Sequence, residues 1–295
     1  MTLPKVTNQQ KKRMMQHQKL RGGATLLLSL FVFVLFPAEN SRAELFRWTD
    51  KQGTTHYSDK ETVSAQKVTI QPGHAFYKVK KVYDGDTITL KNGERVRLLG
   101  INTPEIESRY KRGEPGGKEA GNWLKKQLKG KKIRLEKDQT KRDKYGRLLA
   151  HIFTKSGLHI NLELVQKGLA ITNFHPPNLK YEKSLLNAQE EAEKDRRGIW
   201  RMAAYEPQPI EKIKSRKQRG WGRFTGIARS LKKGRKFDRL IFSDSVDLRI
   251  PTKNLSLFPA LKEYIGKQLE VRGWPSRQKD HYSILVRHPA ALIVQ

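Results

Sequence analysis

An Asn-Gly pair at 92–93, flanked by TITLK and ERVRLL, constrains this chain more than any other short stretch. A two-residue hairpin turn needs positive φ at both central positions, and Asn-Gly meets that need at low cost, so residues 82–105 (VYDGDTITLKNGERVRLLGINTPE) read as two antiparallel strands with a partly apolar interior. The pairing has a chemical consequence. It carries Asp84-Gly85-Asp86-Thr87 and Asn102-Thr103-Pro104-Glu105 to the same end of the sheet.

Oxygen donors converging there suit a hard cation such as Ca²⁺. Arg97, set among apolar residues, is costly to bury without an anionic partner. A turn or bulge would account for Asp84-Gly85-Asp86 on its own; the second polar cluster tips the balance toward a site. Asp143-Lys144-Tyr145-Gly146-Arg147 supplies another arginine in a loop, for which the plain alternative is a tight turn with a solvated charge. The histidines form neither H-x-H nor H-E-x-x-H, which leaves zinc hydrolysis without support.

The chain has 295 residues, enough for one large domain or two modest ones with ancillary pieces, and no cysteine, which removes disulfides and thiol chemistry. A formal charge of +31 favours polyanionic partners, namely nucleic acid, anionic lipid or acidic polysaccharide. Residues 1–43 read as a signal peptide: basic residues, then the uncharged run ATLLLSLFVFVLF, then Ser41-Arg42-Ala43. The run is too short for a comfortable membrane span, so export to the periplasm or medium is expected, with no stable span after processing; an uncleaved anchor is the alternative.

Residues 44–72 pattern as a small hairpin module, LFRWTDKQGTTHYSD, with aromatic residues on both sides of a Gly-containing turn. Residues 75–205 alternate strands and helices, the helices expected over 118–128, 161–167 and 181–197, which indicates a small barrel with helices packed on it. Residues 206–220, with prolines and a basic run, read as a linker. Residues 221–295 form a second small β-rich region, with strands expected over 224–228, 240–250, 269–274 and 282–286 and a helix near 258–265. Trp221, Trp274 and Tyr282 there are either core aromatics, the duller reading, or base-stacking residues.

The order of motifs DGDT, RLLGINTPE, GKEA, DKYGR, ELVQKGLA and AQEEAEKDRRGIW over residues 82–200 resembles the staphylococcal nuclease (thermonuclease) family. The segment near 45–59 resembles a short module of unknown function from exported bacterial proteins. The nuclease resemblance implies a mainly β fold with some α, a five-stranded OB-type barrel with three helices, and the C-terminal region patterns as a further, OB-like barrel. It also implies calcium-dependent hydrolysis of DNA and RNA leaving 3′-phosphates, the alternative being a non-catalytic nucleic-acid binder of the envelope. By position, Asp86, Asn102 and the Thr103 carbonyl are expected to hold Ca²⁺, Glu105 to orient or deprotonate the attacking water, and Arg97 and Arg147 to grip the phosphate. Tyr145, Lys144 and Phe174 are expected beside the nucleotide. Asn102 stands where the founding member has an aspartate, which removes one formal charge from the metal shell and predicts weaker Ca²⁺ binding.

Overall fold

The structure is a computed structural model that describes residues 45–50, 52–61, 65–68, 75–107, 112–215 and 220–295. The expected signal peptide, residues 1–43, lies outside the described residues. Among the described residues no helix is long and apolar enough to cross a membrane. The chain divides into two compact units, residues 1–72 and 73–295.

In the first unit β1 (Leu45–Thr49) pairs antiparallel with both β2 (Thr55–Ser58) and β3 (Gln66–Val68). The β1–β2 turn closes on Asp50, whose Oδ1 accepts from the backbone N–H of Gln52 and Thr54. Trp48 stacks on His56 with ring centroids 5.3 Å apart, and the imidazole lies 2.7 Å from Asp50 Oδ2. The strands thus form a three-stranded sheet ordered β2-β1-β3, where the sequence suggested a hairpin.

The second unit begins with β4 (Phe76–Val82), β5 (Thr87–Leu90), β6 (Arg95–Leu98) and the short β7 (Ile101–Asn102). Helix α1 (Gly117–Leu128), β8 (Lys132–Glu136), β9 (Leu148–Thr154), α2 (Ile160–Gln166), β10 (Ile171–Thr172) and α3 (Glu182–Lys194) follow. Strands β4-β5-β6-β9-β8 close into a barrel. With three helices around it, this is the OB-type fold expected from the sequence. Ile88, Leu90, Val96, Leu98, Ala150 and Ile152 point inward, and Leu124 and Leu128 of α1 with Leu164 of α2 extend the same core. These apolar side chains recur every second residue on strands and on one stripe of each helix, so each element has one face to bury.

The β5–β6 hairpin forms, but with a three-residue loop, Lys91-Asn92-Gly93, in which Gly93 and not Asn92 takes positive φ, rather than the expected two-residue turn. Gly93 takes φ 89°, its N–H donates to the Leu90 carbonyl, and the Glu94 N–H donates to Asn92 Oδ1. The resulting register sets Thr87 opposite Arg97. Strand β6 also pairs with β9, in parallel, with Arg97 opposite Leu149.

The C-terminal region is β-rich, as expected. Its strands are β11 (Gln208–Pro209), β12 (Gly222–Ile227), β13 (Ser230–Lys232), β14 (Phe237–Ser243), β15 (Val246–Pro251), β16 (Gln268–Gly273), β17 (Pro275–Gln278), β18 (His281–Leu285) and β19 (Leu292–Val294). They lie in two sheets, ordered β11-β12-β16-β19 and β13-β14-β15-β18-β17, rather than in one closed ring.

Three expectations change here. The single strand over 240–250 is a hairpin, β14 to β15, because the polar Ser243-Asp244-Ser245 reverses the chain. The helix near 258–265 reduces to a 3₁₀ turn at Leu261–Tyr264. The linker over 206–220 is packed through residue 215: β11 pairs in parallel with β12, and Ile210 and Ile213 are buried in the C-terminal core. The turn buries both isoleucines while Glu211 and Lys212 between them stay exposed, so apolar burial costs no charge its solvation.

Candidate active site

The acidic end of the site begins where β4 breaks. Asp84 Oδ1 accepts from the Asp86 N–H at 3.0 Å, and the Tyr83 N–H donates to the Thr87 carbonyl, closing a tight loop. Gly85 is required at the bend: a Cβ there would lie 2.6 Å from Thr103 Cγ2. That close approach seats Asp86, 6% exposed, so that its Oδ2 accepts from the Thr103 N–H at 3.0 Å. The hairpin thus ties the two polar clusters together through one hydrogen bond.

Arg97 reaches into the same end. Its Nη2 lies 2.9 Å from Asp86 Oδ2 and donates to Asn102 Oδ1 at 2.8 Å, while Nη1 donates to the Leu98 carbonyl. Asn102 Nδ2 in turn donates to the Thr103 carbonyl at 2.9 Å. The amide therefore bridges the arginine and the carbonyl expected to serve as a ligand. Burial pushes the Asp84 carboxyl up to about 6, and the neighbouring charge of Asp86 adds to the rise.

Glu105 is held from behind. Its N–H donates to Glu114 Oε2, and its carbonyl accepts from the Glu114 N–H. Helix α1 starts hard against it, since a Cβ at Gly117 would lie 2.2 Å from the Glu105 carbonyl oxygen. On the opposite side, Asp143 clamps the DKYGR turn. Its Oδ1 accepts from the N–H groups of Tyr145 and Arg147, and its Oδ2 accepts from Arg147 Nε at 2.7 Å. Burial opposes ionisation of Asp143, but the Arg147 contacts prevail and hold its carboxyl below the usual range. The clamp uses Nε alone, leaving the Nη1–Nη2 edge of Arg147 without a protein hydrogen bond among the described residues.

Asp84, Asp86, Arg97, Asn102, Glu105 and Arg147 all line one cavity of about 530 Å³. The parallel β6–β9 ladder sets Arg97 beside the start of β9, just after Arg147, and the hairpin brings the carboxylates. Thr103 lies behind, buried and joined to Asp86. Tyr145, 70% exposed, stands at the rim, and Lys144 lies over its ring at 5.0 Å from the centroid, outside the cavity lining.

Phe174 corrects an expectation. It is 4% exposed, belongs to the barrel core and packs against the His288 ring at 4.9 Å, so its faces are closed to a base. Trp221 is also core, in an aromatic cluster with Trp200 and Tyr205. Trp274, offered from the sequence as a core or base-stacking aromatic, lines the cavity; other lining residues carry no assigned role from the sequence: Asp84, as a carboxylate of the site; Asn173 and His175, which flank Phe174; and Arg287 of the C-terminal region. Asp84 has a local signal, the DGD triplet itself. Arg287 has none, and for Trp274 the sequence offered the residue type but not its place at this cavity, since only tertiary packing carries both there.

Asp84, Asp86, the Asn102 amide oxygen and the Thr103 carbonyl are oxygen donors of the kind a hard divalent cation takes, although Arg97, Asn102 Nδ2 and the Thr103 N–H already bond to three of them, and among the described residues no cluster of three or more His, Cys, Asp or Glu is placed to hold a metal ion.

Comparison with known proteins agrees with this construction. Residues 95–202 match the model of the family described as Staphylococcal nuclease homologue, and residues 32–75 match Domain of unknown function (DUF4124). Over 127 residues the chain is 45% identical to Thermonuclease of Staphylococcus intermedius and 39% identical to Thermonuclease of Staphylococcus hyicus, spanning 42% of this chain and 75% of each relative. Endonuclease YncB of Bacillus subtilis is 35% identical over 130 residues, 42% of this chain and 61% of that protein. On the barrel, the ordered site residues and these relatives together, the chain belongs to the staphylococcal nuclease family.

Proposed function

We propose that this chain is an exported nuclease that hydrolyses phosphodiester bonds of DNA and RNA with little sequence preference, supported by Ca²⁺ and leaving 3′-phosphates. The observation that carries the reading is the convergence of Arg97 and Arg147 with Asp86 and Glu105 on one cavity. Export rests on the pattern of residues 1–43.

In this reading a backbone phosphate enters between the two guanidiniums. The open edge of Arg147 offers two parallel N–H donors to its non-bridging oxygens, a geometry that an ammonium lacks. Arg97 is drawn partly from Asp86 and Asn102 toward the same phosphate. Asp84, Asp86, the Asn102 amide oxygen and the Thr103 carbonyl would hold the calcium ion. When bound, that ion supplies positive charge to the phosphoryl oxygens as negative charge builds there. Glu105 accepts a proton from the attacking water, with no histidine needed as base. The water oxygen bonds to phosphorus as the P–O5′ bond breaks; the leaving oxygen takes a proton from solvent, giving a 5′-hydroxyl and a 3′-phosphate. Glu105 then releases its proton to water.

Incubating the purified chain with DNA and RNA, with Ca²⁺ or chelator, beside Glu105→Gln and Arg147→Ala tests the proposal. Removal of either group should lower kcat by about 100-fold or more, in line with general-base and electrostatic contributions. Comparable digestion by all three proteins would overturn it.

A further inference from the structure

The cavity has a wall that the nuclease barrel does not supply. Trp274 sits at the corner between β16 and β17, in the sequence Gly273-Trp274-Pro275, and lines the cavity together with Arg287, which follows β18. The indole is 37% exposed, in contrast to the buried Trp200 and Trp221. Its position is held from both sides. A Cβ at Gly273 would lie 2.7 Å from Ile284 Cγ2, so the glycine lets the corner close on β18. One residue earlier, Arg272 is gripped by Glu193 of α3, with Nη1 to Oε1 at 2.5 Å and Nη2 to Oε2 at 2.8 Å.

Arg287 is half-buried, and its guanidinium makes no hydrogen bond or ion pair with another described residue. Burial and the nearby Arg249 charge hold its pKa below the usual arginine value. A guanidinium in that setting lacks an anion. The neighbouring His175 imidazole cannot serve as one. His175 is itself exposed at the cavity, and desolvation there, then the charges of Arg287 and Arg97, hold its pKa below the usual histidine value. A planar aromatic face and a cation without a partner among the described residues thus line the same cavity as Arg147. The expected stacking residue of the barrel, Phe174, is closed off.

Resting on the nuclease reading, we propose that Trp274 and Arg287 form a nucleotide subsite of this cavity: the indole stacks an unpaired base and the guanidinium pairs with an adjacent phosphate, so that the C-terminal region selects single-stranded nucleic acid. Stacking requires a free base face, which a closed duplex withholds.

Binding is read first, in the full-length Glu105→Gln protein with chelator, by anisotropy of a fluorescein-labelled oligothymidylate and of a blunt hairpin duplex. Trp274→Ala should weaken single-strand binding by about tenfold, leave duplex binding within about twofold, and be rescued by Trp274→Phe. Arg287→Met should weaken binding and flatten the log K against log salt slope by about 0.7, one phosphate contact. In the otherwise intact enzyme the same changes should raise KM on single strands while kcat holds. Equal loss on duplex and single strand, or unchanged binding in both variants, overturns the subsite. If Trp274→Ala weakens binding but the unaltered chain cuts nothing, the subsite stands and the nuclease reading falls. If the unaltered chain cuts nucleic acid and Trp274→Ala changes neither binding nor KM, the nuclease reading stands and the subsite falls.

Discussion

Replacing Arg272 by methionine should be among the most damaging single changes outside the cavity. The guanidinium is 9% exposed and lies between two acids, Glu193 on α3 and Glu270 on its own strand, with Nε donating to Glu270 Oε1 at 2.6 Å. Arg223 completes the cluster, bonded to Glu270 through Nε and Nη2 at 2.7 and 2.8 Å and standing 3.7 Å from Glu193. Methionine keeps much of the volume but strips Glu193 of its close partner. Removing one member of a buried pair costs about 3–5 kcal/mol, because the other charge is left dry. Here Arg223 still neutralises Glu270, so the lower end, about 3 kcal/mol, is expected. For a unit of this size that is a fall in Tm of roughly 6–12 °C. Thermal and urea unfolding at pH 7 measure it, and added salt should change the loss little because the cluster is shielded from solvent. Arg272→Met combined with Glu193→Gln should recover much of the loss, since the stranded charge is gone. A Tm change under about 2 °C, or a double variant whose losses simply add, would refute the argument.

The remaining predictions concern metal and pH. Asn102→Asp should restore a carboxylate to the calcium shell and lower the Ca²⁺ concentration that half-activates cleavage, and equal midpoints for the two proteins would remove Asn102 from the site. His151, 1% exposed and 3.2 Å from His159, is held down to about 4 by burial and then by its neighbour. Its unfolded form takes up a proton near 6.5, so its contribution to stability is complete above that pH and is lost as pH falls toward 4. That loss is about 3 kcal/mol. His151→Gln should flatten the acid limb of a stability profile taken between those values; an unaltered slope would assign the acid sensitivity elsewhere.

Local chemistry announced the nuclease barrel well. The Asn92-Gly93 pair marks where the chain reverses, so Asp86, Asn102 and Glu105 could be brought to one end of the sheet from the sequence, although the three-residue loop shifts the pairing by one from that of a two-residue turn. Arg147 was legible as a loop arginine, whereas its approach to Arg97 depends on the parallel β6–β9 pairing between distant segments. Ile210 and Ile213 were hidden because isoleucines dispersed among lysines look the same in a linker and in a packed 3₁₀ turn. Phe174 misled for a related reason: a residue that matches a nucleotide-flanking position is reassigned to the core once another region of the chain covers it. Trp274 and Arg287 are the limiting case, distant in sequence from the nuclease motifs and brought to the cavity by the docking of the C-terminal region on the barrel, Arg272 on Glu193 and His288 on Phe174 and Glu182.

The β6–β9 ladder also works as a ruler. Neighbouring strands run about 4.8 Å apart, a spacing fixed by backbone hydrogen bonding and indifferent to whatever chain joins them. Arg147 stands one residue before β9, held to that spacing by the Asp143 clamp. Segments between the two arginines other than the Asp143–Arg147 turn can therefore grow, shrink or acquire new contacts while the interval between the guanidinium anchors stays constant.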